Sequence, residues 1–329
     1  MSKRDGTLIV VLCFKRSERN DKNMKQVLFG KSGKMVPAVV IGCMRMNGLE
    51  QKEAERFVKT ALELGANFFD HADIYSNGVC ETMFGNILKA NPKMRENIIL
   101  QSKCGIVPGV MYDCSKEHII KSVDGILKRL QTDYLDSLLL HRPDALMEPE
   151  EVAEAFEMLK QSGKVRYFGV SNQKSSQIQL LSRWLKQEIM ANQLQFSITN
   201  SNMVRSGMEV NMETEGAIER DGSILDFCRL HDITIQAWSP FQYGFFEGVF
   251  IGNAKFEKLN QVLKELAEKY HTTPTGIATA WILRHPAKMQ MIAGTMKVER
   301  LKEICQGAEV HLERKEWYDI YMAAGHILP

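Results

Sequence analysis

The regular alternation of short apolar runs with helical patterns constrains the fold of this chain more than any other feature. After a predicted hairpin over residues 27–40, which turns at Ser32-Gly33, eight such runs are each followed by a predicted helix. Short apolar runs separated by helices indicate buried parallel strands, and eight such units predict a closed (β/α)8 TIM barrel. The predicted strands cover residues 39–44, 67–72, 98–103, 134–141, 165–170, 191–197, 233–239 and 289–294. The predicted helices cover residues 49–65, 81–90, 115–130, 149–162, 174–188, 221–231, 255–270 and 298–306.

Two segments lie outside this cycle. Residues 197–216 are a long polar stretch after the sixth predicted strand, and we predict a functional loop there. Residues 313–325 have helical spacing and predict an additional C-terminal helix. No linker or low-complexity segment divides residues 24–329, so the sequence predicts a single barrel domain.

The first 23 residues differ from the rest of the chain. Lys3 and Arg4 precede an apolar stretch over residues 6–14, which continues into the charged run 15–22. The stretch is too short to span a membrane and lacks a small-x-small cleavage site. We therefore interpret residues 1–23 as a poorly ordered extension, with Met24 as an alternative first residue.

Charge and cysteine usage limit the partners and the compartment. The formal net charge is only +2, and lysine and arginine are scattered, which argues against nucleic acid or a membrane surface as a partner. The seven cysteines include no CxxC pair, and an odd number is awkward for a disulfide framework. The sequence therefore predicts a cytoplasmic protein with reduced thiols, in which Cys43 and Cys104 are packing residues.

Four polar residues follow or close apolar runs. Asp70 and Tyr75 lie in NFFDHADIY, Lys103 closes IILQSK, and His141 closes YLDSLLLH. Barrels place their chemistry at the C-terminal ends of the strands, so we expect these side chains to meet. A tyrosine donates its proton poorly near neutrality, but an adjacent ammonium favours the phenolate and a carboxylate keeps that ammonium in place. With a histidine to orient the substrate, the group can protonate an oxygen on which negative charge develops.

At these residues the chain resembles the aldo-keto reductases. That family carries an Asp-x-Ala-x-x-Tyr motif, which Asp70, Ala72 and Tyr75 match. Lys103 in QSKCG and His141 in LLLHRPD match its lysine and histidine at the next two strand ends. The resemblance implies reduction of an aldehyde or ketone by NADPH, with Tyr75 as the proton donor.

The resemblance also implies a site for NADPH along the later strand ends. GVSN (169–172), ANQLQFS, AWSPF and IAGTMKVERLKEI match the family motifs in the right order. No GxGxxG follows a strand, so a Rossmann site is not expected. The residues implied at the nicotinamide are Ser171, Asn172, Gln193 and Trp238, the last standing where many members have tyrosine. Those implied at the phosphates are Ser239, Phe241, Gly294, Thr295 and Arg300, of which Arg300 suits a 2′-phosphate.

Besides Trp238, the sequence departs from the family pattern at three positions. His71 stands where threonine or serine is common, Ile304 where an asparagine often touches the adenine, and Gly294 where some members have a lysine. Substrate specificity is expected in residues 44–47, 197–216 and 242–249 and in the C-terminal segment. Candidate pocket residues are Met44, Met46, His71 and Met203.

Two other functional classes were weighed against the reductase. One is a regulatory subunit that binds NADPH on the same barrel and senses redox state with little turnover, which the intact quartet does not exclude. The other is a metal-dependent barrel hydrolase, which needs a His-x-His after the first strand or an equivalent cluster, and the sequence has neither. We therefore expect no metal, and the sequence is silent on the substrate and the oligomeric state.

Overall fold

A computed structural model describes residues 24–328, so the predicted extension over residues 1–23 lies outside the described residues. The barrel strands are β1 (Val39–Gly42), β2 (Phe68–Asp70), β3 (Ile99–Cys104), β4 (Leu135–Leu140), β5 (Val165–Ser171), β6 (Ile189–Gln195), β7 (Thr234–Trp238) and β8 (Gln290–Ala293). These eight parallel strands close into a barrel in the order β6-β7-β8-β1-β2-β3-β4-β5, which confirms the predicted fold.

Helices surround the barrel and cover its apolar strands. The first helix, Gln51–Glu63, shows why they form, because it buries Ala54, Phe57, Val58 and Ala61 on one face and begins with a capping box between Glu50 and Glu53. The helices are α1 (Gln51–Glu63), α2 (Val79–Ala90), α3 (Lys116–Leu130), α4 (Pro149–Gln161), α5 (Ser175–Ser182), α6 (Asn202–Met208), α7 (Ile224–Leu230), α8 (Glu257–Lys269), α9 (Pro274–Arg284), α10 (Val298–Gly307) and α11 (Arg314–Ala323). None of these helices, within residues 24–328, is long and apolar enough to cross a membrane.

The predicted N-terminal hairpin closes the bottom of the barrel. Its strands, Gln26–Leu28 and Met35–Pro37, pair antiparallel around a turn in which Gly33 has a φ of 71°. Phe29 is buried beneath the strands, with its ring edge-on to the rings of Phe68 and Tyr167 at 5.7 and 6.0 Å. The hairpin therefore excludes water from that end and leaves the other end as the mouth.

The structure corrects several predicted elements. Helix α9 was not predicted, because residues 274–284 are apolar on nearly every face and have no amphipathic period. The predicted loop 197–216 contains α6, a helix of seven residues that is too short to give a clear period. The predicted helix 174–188 ends at Ser182, and β1 passes into a 3-10 segment, Cys43–Gly48, instead of continuing to Met44.

The C-terminal helix, α11, is confirmed and packs on α9. The rings of Trp281 and Trp317 stack at a centroid distance of 4.8 Å and an angle of 8°. Each indole Nε1 donates a hydrogen bond of 3.1 Å to the other residue's backbone carbonyl. Because both donors and both ring faces are used, α11 is fixed to the barrel's helical layer.

Candidate active site

The ends of β2, β3 and β4 bring the predicted quartet together. Lys103 Nζ donates to Asp70 Oδ2 at 2.7 Å, to the backbone oxygen of His71 at 2.8 Å and to Tyr75 Oη at 3.0 Å. The ring of His141 lies edge-on to the ring of Tyr75, with 6.0 Å between centroids. The four side chains therefore form one contact group at the mouth.

The loop between β2 and α2 positions Tyr75 through an unusual backbone. Ser76 and Asn77, which follow Tyr75 directly, have positive φ values of 49° and 53°. Two consecutive non-glycine residues in the left-handed region store strain, and such strain concentrates at functional sites. The strained turn lies in the 3-10 segment Tyr75–Gly78 and leads the chain into α2 at Val79.

Burial governs the charges of the lysine and the tyrosine. The Lys103 side chain is 0% exposed and that of Asp70 only 2%, so this is a fully buried ion pair. Burial alone would lower the pKa of Lys103, but the Asp70 charge and the hydrogen bonds raise it, and the net change is upward. The pKa of Tyr75 is raised mainly by burial, although the Lys103 charge acts to lower it. The lysine therefore offsets only part of the cost of burying a phenolate.

His141 is held in its neutral form. Burial, followed by the positive charges of Lys103 and Arg142, places its pKa well below the ordinary value. Its buried Nδ1 has no hydrogen-bond partner within residues 24–328. A neutral imidazole can donate a hydrogen bond from a ring nitrogen to a substrate oxygen without adding charge.

The residues expected at the nicotinamide also lie together. Asn172 Nδ2 donates to Ser171 Oγ at 2.8 Å, and Trp238 Nε1 donates to Asn172 Oδ1 at 3.1 Å. Ser171 Oγ in turn donates to the backbone oxygen of Gln193 at 3.1 Å. Asn172 has a φ of 57°, so its backbone leaves the strand direction at this point. The indole face of Trp238 is thereby fixed beside polar groups of β5 and β6.

The residues expected at the phosphates lie on the next two strand ends. Ser239 follows β7 with a φ of 51°, and its Oγ donates to Gln242 Oε1 at 2.8 Å. Phe241 is half-buried against the core. Thr295 follows β8, and Arg300 lies on α10, on the wall of an open cavity of about 500 Å³ between α1 and α10.

Sequence reasoning missed Arg45, which lies beside Gly294. Arg45 Nη1 donates to the backbone oxygen of Gly294 at 2.9 Å, although 249 positions separate the two residues. A Cβ atom at position 294 would lie 3.0 Å from that nitrogen, so the glycine leaves the space that the guanidinium uses. No ion pair of the described chain includes Arg45, which leaves its charge available to an anion.

The candidate pocket residues divide into two groups. Met44 is 38% exposed after β1, whereas Met46 is fully buried and Met203 is 8% exposed. His71 is fully buried, with its ring 4.8 Å from that of Phe84 on α2. Side chains alternate across a strand, so His71 lies on the helix side while Asp70 lies inside the barrel. The structure brings only Met44 of these four to the surface at the mouth.

Comparisons with known proteins agree on one family. The model of the Aldo/keto reductase family matches residues 38–323. The uncharacterised oxidoreductase YcsN of Bacillus subtilis is 37% identical in an alignment of 305 residues that covers 88% of this chain and 95% of that protein. The 6-dehydroglucose reductase of Novosphingobium aromaticivorans is 32% identical in an alignment of 309 residues that covers 91% of this chain and 96% of that protein. A solved thermostable aldo-keto reductase, crystallised with the inhibitor epalrestat, is similar with a TM-score of 0.72 and 26% identity, covering 91% of this chain and 100% of that chain.

Proposed function

The chain belongs to the aldo/keto reductase family, and on that premise we propose that it reduces an aldehyde or ketone to the alcohol with NADPH. The observation that carries the proposal is the position of Lys103 Nζ between the Asp70 carboxylate and the Tyr75 hydroxyl. Family membership and the oxidoreductase relatives support carbonyl reduction in general. The cofactor and the residue roles are our own assignments.

The described residues fit NADPH. The Arg45 guanidinium beside Gly294 has no ion-pair partner in the described chain, which suits a phosphate, and Trp238 offers an aromatic face fixed by Asn172. The nitrogen of Gln193 is committed to Asp70 and Gln236, so its amide oxygen is the group left for a carboxamide. The residues that would hold NADPH are Ser171, Asn172, Gln193, Trp238, Ser239, Phe241, Gly294, Thr295 and Arg300, with Arg45 added from the structure.

In this proposal the four side chains handle the oxygen of the carbonyl group. When bound, NADPH supplies a hydride from nicotinamide C4 to the carbonyl carbon. Neutral His141 donates a hydrogen bond to the carbonyl oxygen and orients it towards Tyr75. Tyr75 Oη transfers its proton to that oxygen as negative charge develops, and the Lys103 ammonium stabilises the phenolate that remains. Asp70 keeps Lys103 in place throughout.

The first test follows NADPH consumption by the full chain with a panel of carbonyl compounds. Because one relative is named a 6-dehydroglucose reductase, the panel begins with sugar aldehydes and extends to aromatic, aliphatic and dicarbonyl compounds. We expect Tyr75→Phe to reduce kcat about a thousandfold, since proton transfer by a positioned group contributes roughly 10²–10⁴. Binding of NADPH, followed by fluorescence, is expected to change little.

A matched control is Tyr112→Phe, which changes a half-exposed tyrosine in the short hairpin after β3. It is expected to keep full activity. Loss of NADPH binding in Tyr75→Phe would indicate a structural role for the hydroxyl and overturn the assignment. Tight NADPH binding without turnover of any carbonyl would instead favour the regulatory subunit. The cytoplasmic location and the single domain remain predictions.

A further inference from the structure

The interior of the barrel contains four glutamines in a place where barrels usually have branched apolar side chains. Gln101, Gln193, Gln236 and Gln290 lie on β3, β6, β7 and β8, and none is more than 4% exposed. The strand register pairs Gln236 with both Gln193 and Gln290, and it pairs Gln101 with Asp70. Burying an amide costs free energy unless its polar atoms are used. Four buried amides in register therefore indicate a connected network.

At the mouth end, two of these amides bind Asp70. Gln101 Nε2 and Gln193 Nε2 both donate to Asp70 Oδ1, at 2.7 and 3.2 Å. The same nitrogens donate to Gln236 Oε1, at 2.9 and 3.2 Å. Because Lys103 uses Oδ2, both carboxylate oxygens of Asp70 are bound from fixed directions.

At the other end, the chain of amides reaches the N-terminal hairpin. Gln236 Nε2 donates to Gln290 Oε1 at 2.9 Å and to Gln101 Oε1 at 3.3 Å. Gln290 Nε2 donates to the backbone oxygen of Pro37 at 2.7 Å. Hydrogen bonds therefore run from the bottom of the barrel to the carboxylate at its mouth.

The two ends of this network determine its direction. The Pro37 carbonyl can only accept, so Gln290 must present its nitrogen there and its oxygen to Gln236. Gln236 then presents its oxygen to the two amides that face Asp70, and these present their nitrogens to the carboxylate. Turning over any one amide would bring two oxygens or two N–H groups together. In the single consistent orientation, Asp70 Oδ1 meets only donors.

We propose that Gln236 and Gln101 are positioning residues. The amide network holds the Asp70 carboxylate against Lys103 and thereby influences how readily the proton donor Tyr75 gives up its proton. The inference deepens the proposed reduction and rests on Tyr75 being the donor. The proposal gives a role to the buried glutamines of the barrel interior, which the four catalytic side chains alone do not account for.

The mechanism acts through charge. Burial has the largest effect on both groups: it lowers the pKa of Lys103 and raises the pKa of Tyr75. The Asp70 charge raises both pKa values. A carboxylate that turns away from Lys103 would lower the pKa of each group. The titratable groups that face Tyr75 or Lys103 are Asp70 on β2, Cys43 after β1, His141 after β4, His71 and Asp73 after β2, and Glu81 on α2.

The test measures tyrosinate formation by ultraviolet difference absorbance in the full chain. Gln236→Met keeps the length of the side chain and removes its hydrogen bonds. Subtracting the same spectra recorded in the Tyr75→Phe background isolates the signal of Tyr75. We expect Tyr75 to ionise at a pH lower by roughly half to one unit, and the alkaline limb of the kcat profile to move with it.

Gln195→Met is the matched control. Gln195 lies on β6 and donates to the Gly244 backbone oxygen, outside the network, so its variant is expected to titrate as the wild type does. A folded Gln236→Met protein with an unchanged Tyr75 titration would overturn the proposal. If Gln236→Met does not fold, Gln101→Met makes the same test, because it removes a donor from Asp70 directly.

The titration does not depend on turnover. A shifted titration in a protein that reduces no carbonyl would support the amide network while overturning the proposed reduction. Carbonyl turnover with an unshifted titration would support the proposed reduction and overturn the role of the amide network. The two proposals can therefore fail separately.

Discussion

The two sides of β2 and β3 bury ionisable groups in different ways. Inside the barrel, Asp70 and Lys103 are charged, and each is bound by several partners. On the side that faces α2, both ring nitrogens of His71 and one oxygen of Asp73 have no hydrogen-bond partner within the described chain. Asp70 and His71 are adjacent in the chain, so the two environments lie on opposite sides of the same strand end.

The pKa values of His71 and Asp73 show how the helix side buries ionisable groups whose atoms lack hydrogen-bond partners. Burial and then the Lys103 charge lower the pKa of His71 to about 3, so it stays neutral. Burial and then the Glu81 charge raise the pKa of Asp73 to about 7. The inner side keeps Asp70 and Lys103 charged by binding them, whereas burial drives His71 and Asp73 on the outer side towards their neutral forms, although Glu81 there still pairs with Arg129. The fully buried ion pair that contacts Tyr75 therefore lies on the inner side.

The largest expected effect comes from breaking the inner pair. Lys103→Met leaves Asp70 buried without its cation, which costs about 3–5 kcal/mol of unfolding free energy. The double variant with Asp70→Asn is expected to recover most of this stability, but neither protein should regain activity. Denaturant unfolding and NADPH consumption check the two parts. Equal stability losses in the single and double variants would mean that charge pairing is not what stabilises this side.

A smaller effect is expected from His71→Leu on the outer side. The folded pKa of about 3 lies below the ordinary 6.5, so His71 costs no stability above pH 6.5 and costs progressively more as the pH falls towards 3. At about pH 5, relief of this cost amounts to roughly 2 kcal/mol. Thermal unfolding measured against pH is expected to be flatter in the variant than in the wild type. Parallel curves would show that His71 does not stay neutral in the folded protein.

The smallest effect is expected from Arg129→Met. Arg129 Nε donates to Glu81 Oε2 at 2.7 Å, while Ser102 Oγ donates to Glu81 Oε1 at 2.6 Å. Burial raises the pKa of Glu81 even with these partners present. Without Arg129 the carboxyl can accept a proton, so we expect a loss of only about 1–2 kcal/mol at neutral pH.

The pH dependence of this variant sharpens the comparison. Because the pKa of Glu81 is raised in the folded protein, its contribution to stability is greatest when the pH lies below the ordinary carboxyl pKa. That contribution is lost as the pH rises through the pKa in the folded protein. The deficit of Arg129→Met relative to the wild type is therefore expected to shrink on acidification. A deficit as large as that of Lys103→Met, and independent of pH, would show that the outer side depends on pairing as the inner side does.

The sequence predicted the barrel and the quartet because both depend on local patterns. Apolar runs repeat with helices between them, and Asp70, Tyr75, Lys103 and His141 stand at strand ends, which a barrel must bring together. Helix α9 lacked the amphipathic signal, but Thr273 and Pro274 did mark its start, since Thr273 Oγ1 caps Gly276 N.

The remaining features depend on contacts between distant residues. No local pattern could place Arg45 against Gly294, because the two meet only when β1 and β8 close the barrel. The glutamines are visible in the sequence only as single amides inside apolar strands. The direction of their hydrogen bonds depends on the Pro37 carbonyl at the far end of the network. By contrast, the placement of His71 on the helix side follows from a local pattern, the alternation of side chains that starts at Asp70.

The stacked Trp281 and Trp317 pair gives the chain an optical signal for its own C-terminus. Two indoles held 4.8 Å apart and nearly parallel are expected to couple their strong electronic transitions and so to give a paired band in far-ultraviolet circular dichroism. The chain has four tryptophans, of which Trp184 is 46% exposed and Trp238 lies at the mouth. The paired band therefore reports the docking of α11 alone, while quenching of Trp238 reports the mouth. A single unlabelled sample can thus follow the last helix and the binding site as separate spectroscopic events.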